Sequence, residues 1–402
     1  MVKTRIVLLD SLRGLGVLGI LLCNAPDFAV TAGLAESVRH WPHGAGADTV
    51  SVWVATQWLF QRKFVTLFAM LFGASIFLVG GERSEADKGV ILRKRLMWMV
   101  GFGLLHGFAI WYGDVLLSYA LAGFAVMLAR SWTPRKLFTT GIAIWVLLCL
   151  LMTAGVAYAV FGPAPDPAKE ALETAKEAAK NSAEAARYAG TLLQSLIQNA
   201  QERAGRLAAE PVIFLMTSSM MLLGLGCFKT GVFTGQASNR TYGVLTVIGL
   251  LALAATGALF IACALHGLDR SLGQIAGLVQ TATAPLTTLA YVGLIVFASR
   301  SKGFWKAIPA ALAPVGQMAF TNYLTQSLIM TAIFYGGRGL SLHGKVDRPG
   351  LAAITVAIWV VQILWSRWWM DRFAMGPLEW LWRRLYRGPT PLRRPVPTPM
   401  VA

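Results

Sequence analysis

Few residues in this chain can do chemistry, and most of them stand in apolar stretches. His106 lies in Gly101-Phe-Gly103-Leu-Leu-His106-Gly107, and Asp114 follows in Trp111-Tyr112-Gly113-Asp114. An ionisable side chain inside a membrane-length segment is costly without partners and points by default to a functional site. A neutral imidazole there can take a proton from an acceptor hydroxyl or amine, or accept an acyl group itself. It can also be a neutral histidine hydrogen-bonded within a helix bundle. On an uninterrupted helix Asp114 would stand about 80° round and about 12 Å along from His106, so the two do not meet unless the chain turns at Gly113. Asp114 can otherwise bind an acceptor, cap the next helix or orient a group from elsewhere. Tyr119 adds a hydroxyl just inside that next helix.

The other polar residues fall into two groups. Asp10 and Arg13 are three residues apart near the chain start and share a helix face. They form either an ion pair at the membrane surface or an anion site in which Arg13 takes phosphate or carboxylate. Asn24, further along the same helix, suits a helix-packing hydrogen bond better than chemistry. Near residue 320 stand Gln317, Thr321, Asn322, Tyr323, Gln326 and Ser327. So much amide and hydroxyl in one membrane helix must face the interior or a wet cavity. There it lines an acceptor path or joins helices. His40 and His43 have no third metal ligand beside them. Cys23, Cys149, Cys227 and Cys263 lie in apolar spans without Cys-x-x-Cys spacing and behave as small hydrophobes. No metal site, tightly bound cofactor, nucleotide loop or serine elbow is expected.

These residues must be positioned by membrane helices. The chain is 56% hydrophobic and only 14% charged, against about 25% charged in soluble domains. The expected fold is an all-α polytopic transmembrane bundle. About ten spans are indicated, near residues 6–27, 64–80, 96–112, 115–130, 137–161, 211–228, 241–265, 283–299, 310–335 and 351–370. The net charge of +17 does not indicate a nucleic-acid partner, because the basic residues flank apolar spans. The Lys3/Arg5, Arg93-Lys94-Arg95, Arg130/Arg135/Lys136, Arg300/Lys302/Lys306 and C-terminal arginine groups fall on one face. The positive-inside rule puts that face, and both termini, in the cytoplasm. The first span carries Asp10 and Arg13 with no cleavage site after it, and is expected to be retained.

Four regions follow. Residues 1–162 form an N-terminal membrane half and 211–388 a C-terminal one. Between them, 163–210 reads as an extracytoplasmic helical hairpin or long helix, with Asp166-Pro167 as its cap. It serves as a lid or spacer, with no chemistry of its own. Residues 389–402 form a Pro-rich tail expected to be disordered. Residues 51–63 and 376–387 look like interfacial helices.

Several segments resemble one family. They are Leu9-Asp10-Ser-Leu-Arg13-Gly14 with Asn24, Phe68-Ala-Met-Leu-Phe-Gly73, and Leu104-Leu-His106 with Trp111-Tyr-Gly113-Asp114 and Tyr119. The C-terminal half adds Gly316-Gln-Met-Ala with Thr321-Asn322-Tyr323-Leu-Thr-Gln326-Ser and Gly376-Pro-Leu-Glu379-Trp380. Across nearly its whole length the chain resembles the YeiB family of bacterial inner-membrane proteins (domain of unknown function 418). The 163–210 segment is longer than that family's usual connection. The family is in turn distantly similar to membrane acyltransferases, which take an acyl group from cytoplasmic acyl-CoA and pass it across the membrane to a glycan, lipid or small molecule. That similarity implies acyl-CoA phosphates at Arg13 and Arg93-Lys94-Arg95, His106 between donor and acceptor, and Asp114 near the outside. A transporter or flippase for an amphiphile, or a non-catalytic membrane scaffold, is the alternative. The glycine-rich faces would allow a homodimer within the lipid bilayer.

Overall fold

The computed structural model describes residues 6–163 and 166–393. The described residues are helical, with no β-strand. In chain order the helices are α1 (Val7–Ala29), a short α2 (Ala32–Ala35), α3 (Ala47–Leu59), α4 (Lys63–Gly80), α5 (Ala86–Leu105), α6 (Leu116–Leu128), α7 (Pro134–Phe161) and α8 (Pro167–Tyr188). They continue with α9 (Leu192–Arg206), α10 (Glu210–Lys229), α11 (Asn239–Leu265), α12 (Arg270–Arg300), α13 (Phe304–Gln317), α14 (Ala319–Phe334), α15 (Arg348–Arg372) and α16 (Pro377–Arg387).

Seven helical stretches are long and apolar enough to cross a membrane: α1, α3 with α4, α7, α9 with α10, α11, α12 and α15. The ten indicated by hydropathy differ from these in three places. The stretch 96–112 is not one helix, because α5 begins at Ala86 and ends at Leu105. The stretch 115–130 contains α6, which has only 13 residues. The stretch 310–335 is broken between α13 and α14 at Met318. Beyond it, Phe320 N and Thr321 N donate to the Glu379 carboxylate at 2.7 and 3.1 Å. Glu379 on α16 therefore caps the start of α14.

Two close crossings hold the centre. α1 meets α13 where Gly14 faces the Leu312 carbonyl and Gly316 faces the Asp10 carbonyl. α4 meets α10 where Gly73 faces the Met221 carbonyl and Gly224 faces Met70. A Cβ at any of the four would run into backbone. In lipid such crossings derive their stability from packing, since hydrocarbon drives no burial between helices. Gly73→Val is expected to destabilise the bundle by about 1–3 kcal/mol through overpacking. A lowered thermal midpoint in detergent checks this.

α3 buries one face, with Thr49, Trp53 and Thr56, and leaves Ser51 and Ala55 exposed. It packs along α11, with Trp58 Nε1 donating to the Leu253 carbonyl at 2.9 Å and Trp53 edge-on to Phe260. Residues 167–206 form a hairpin, with the Asp166 side chain accepting from Ala168 N and a Thr191/Gln194 capping box starting α9. The hairpin covers one end of the bundle: Thr31 Oγ1 donates to Asn181 Oδ1 and Gly336 N donates to the Tyr188 carbonyl. That end is called the hairpin side here. At the opposite end α16 lies beside the starts of α1 and α14. Within residues 389–393 the Leu392 carbonyl accepts from Ala374 N and the Thr390 carbonyl from Trp380 Nε1. The rest of the tail, with Lys3, Arg5 and Arg394, lies outside the described residues.

Candidate functional site

His106 and Asp114 meet. The Nδ1 atom of His106 is 2.9 Å from Asp114 Oδ1, with both side chains buried. The contact exists because residues His106–Ile110 form a single π-turn, in which Trp111 N donates to the His106 carbonyl at 2.8 Å. The wider turn ends α5, and Trp111-Tyr112-Gly113 then folds the chain back. The 80° and 12 Å offset of a continuous helix therefore does not apply. Asp114 Oδ2 also accepts from Leu117 N at 2.9 Å, so one carboxylate caps α6 and holds the imidazole. Gly103 and Gly107 make room: a Cβ at Gly103 would meet Leu117 and Asp114, and one at Gly107 would meet Arg203.

A helix end leaves carbonyls without intrahelical donors. Here Asn199 Nδ2 of α9 donates to the Gly107 and Phe108 carbonyls at 3.0 and 2.9 Å. Arg338 serves Ile110 and Ala109 at 2.8 and 3.2 Å. Arg203 of α9 donates to the Asp114 carbonyl at 3.4 Å and pairs with Glu210 at 2.9 Å. Ser118 Oγ donates to the same Glu210 carboxylate at 2.8 Å. Nearby Asp27 accepts from Tyr112 and Arg206, fastening α9 to the end of α1. The hairpin expected to carry no chemistry thus supplies much of the polar shell around His106.

On the other flank, the Tyr323 ring packs on the imidazole with centroids 5.2 Å apart. Tyr323 lines a cavity of about 280 Å³ that follows α1 from Asp10 to Ile20. Its other walls include Phe68 and Phe72 of α4, Tyr119 of α6, and Gln317 and Phe320 at the helix break. Arg13, Arg95, Arg383, Glu379 and Trp382 line its α16 end. The two carboxylates there are already engaged: Asp10 pairs with Arg13 at 3.1 Å and Glu379 caps α14. Arg95 lies over Trp382, 4.7 Å from the ring centroid, and also donates to Ser75. The mouth therefore carries excess positive charge beside aromatic faces, which suits a phosphate-bearing ligand. Arg93 and Lys94 point away and are exposed.

The chain is 32% identical over 400 residues to Uncharacterized protein YeiB of Escherichia coli (strain K12), covering 95% of this chain and 96% of that one. It belongs to the YeiB family. Residues 227–389 match DUF418, described as a protein of unknown function. Uncharacterized protein YxaH of Bacillus subtilis (strain 168) is 30% identical over 94% of this chain and 93% of its own. No solved structure matches the chain.

In this YeiB-family fold the candidate residues separate into three sets. Asp10, Arg13, Tyr119 and Tyr323 line the cavity, and His106 with Asp114 lies directly behind Tyr323. Asn322 and Gln326 instead join helices. Asn322 Nδ2 donates to Ser366 Oγ at 2.9 Å and to the Val315 carbonyl. Gln326 Nε2 donates to Gln362 Oε1 at 2.8 Å and to the Val17 carbonyl. Asn24 is half-buried and does not line the cavity. His40 is exposed beside Ser37, and no group of three metal-ligating side chains occurs among the described residues. Arg203, Asn199 and Glu210 were missed in the sequence. The one available signal was Ser195, Asn199 and Arg203 at i, i+4 and i+8, a polar stripe that turns out to be the buried face of α9. Glu379→Ala is expected to uncap α14 at a cost of about 0.5–2 kcal/mol. Glu379→Gln keeps the acceptor for Phe320 N and Thr321 N and should melt near wild type in the same detergent assay.

Proposed function

We propose that the protein is a bacterial inner-membrane acyltransferase that takes its acyl group from cytoplasmic acyl-CoA. One observation carries this: a single cavity leads from an arginine-rich mouth to Tyr323, whose ring covers a buried histidine held by a carboxylate. The basic mouth faces the cytoplasm under the positive-inside rule, and Arg13, Arg95 and Arg383 take the CoA phosphates. The thioester extends along α1 toward Tyr119 and Tyr323. Tyr323 must turn aside for the imidazole to reach an acceptor hydroxyl placed beside the thioester.

Chemically, Asp114 holds the proton on His106 Nδ1 and leaves Nε2 as the base. An acceptor hydroxyl attacks the thioester carbonyl as Nε2 takes its proton. The carbon–sulfur bond breaks, and the imidazolium returns the proton to the CoA thiolate. His106 Nε2 is buried and makes no hydrogen bond to any described residue, as such a base requires.

Calorimetry with acetyl-CoA on detergent-purified protein tests the donor site. Micromolar binding is expected, weakened at least about tenfold in Arg95→Ala, since a charge-assisted contact is worth about 1.5–3 kcal/mol. A folded sample that binds neither acetyl-CoA nor a longer acyl-CoA would refute the proposal. The α13–α14 break is the feature that favours a transporter, because interrupted helices line transport sites. Movement of a substrate across proteoliposomes with no covalent product would select that alternative.

A further inference from the structure

A second cavity, of about 230 Å³, adjoins the first. Val115 and Tyr119 line both, while Ser118 faces only the second. It lies toward the hairpin side, because its α10 wall begins at Ile213, one turn from Glu210. Its walls are chiefly aliphatic and aromatic, with Ala69, Trp145 and Met216 among them. Two of its lining residues, Val65 and Ile213, are 37% and 36% exposed, so the cavity reaches the outer surface of the bundle, where hydrocarbon lies.

Charge at its rim identifies the kind of occupant. Arg62 lines the cavity and makes no ion pair with any described residue. Its backbone is left-handed, with φ 70°, a conformation rare for arginine. Lys63 follows, fully buried, donates to the Gln57 carbonyl at 3.0 Å and pairs with no carboxylate among the described residues. Two adjacent cations with no anionic partner among the described residues are expensive beside hydrocarbon. An anionic group at the rim offsets that cost, and the apolar chamber behind it suits a hydrocarbon chain.

We propose that this cavity binds one acyl chain of an anionic phospholipid from the hairpin-side leaflet, with the headgroup phosphate at Arg62. The site is separate from the donor cavity, and its occupancy does not depend on acyl transfer. Because Val115 and Tyr119 belong to both walls, a bound chain also sets how those side chains stand against the donor.

Trp145 provides the test. Detergent-purified protein is titrated with phosphatidylglycerol carrying brominated chains, and separately with brominated phosphatidylcholine. The fluorescence difference between wild type and Trp145→Phe isolates quenching of Trp145. Phosphatidylglycerol is expected to quench Trp145 at severalfold lower lipid fraction than phosphatidylcholine, and Arg62→Gln to abolish that preference. Thr217→Phe, which fills the chamber, is expected to remove quenching by both. Equal quenching by the two lipids in wild type, or a preference that survives Arg62→Gln, would overturn the proposal. Acyl-CoA calorimetry reads the donor site independently, so its failure leaves the quenching result intact.

Discussion

His106→Ala is expected to leave acetyl-CoA binding within about twofold of wild type and to slow acyl transfer by about 10²–10⁴, the usual contribution of a positioned general base. The separation follows from geometry. Arg13, Arg95 and Arg383 line the cavity mouth, whereas His106 is screened from the cavity by Tyr323. Asp114→Asn should behave similarly. An asparagine that still accepts from Leu117 N would turn its amide N–H₂ toward His106 Nδ1 and force the proton onto Nε2, removing the base. Release of CoA thiol in proteoliposomes containing total bacterial membrane extract measures the rate, and calorimetry measures binding. Full transfer activity in a folded His106→Ala protein would remove the histidine from the mechanism.

The second large effect concerns stability. Arg203 and Glu210 form a buried pair at 2.9 Å, with side chains only 3% and 11% exposed. Removing one partner from such a pair costs about 3–5 kcal/mol, because the other charge stays buried alone. Glu210→Ala also strips the acceptor from Ser118 Oγ. The single variants Arg203→Met and Glu210→Ala are expected to lower the thermal midpoint sharply. The double variant should cost much less than their sum, since it leaves no isolated charge. Strict additivity would show that the pair does not act as a unit.

The distance between legible and illegible features was physical. Asp10 and Arg13 were readable as a pair because a helix puts i and i+3 together wherever it sits. Asp166 was readable as a cap for the same local reason. Asn322 and Gln326 were recognisable as inward-facing, since amide groups are excluded from lipid. Whether they lined a path or joined helices depended on Ser366 and Gln362, some forty residues away. The proximity of His106 and Asp114 was hidden because it depends on one π-turn, which no residue pattern specified. The carbonyls that this turn frees are satisfied by Asn199 and Arg338, both remote in sequence.

By itself, then, the sequence determined an all-helical membrane bundle, the identity of its ionisable residues and the basic character of one end. These follow from hydrophobic length, helical period and charge placement, which are local properties. Only the tertiary structure decided that the helix carrying His106 ends in a turn, that the Ala-rich hairpin closes over that turn, and that a cavity joins the arginines to Tyr323. Each of those depends on donors and acceptors from distant segments meeting in a medium with no water to satisfy them, and that is a property of the assembled chain.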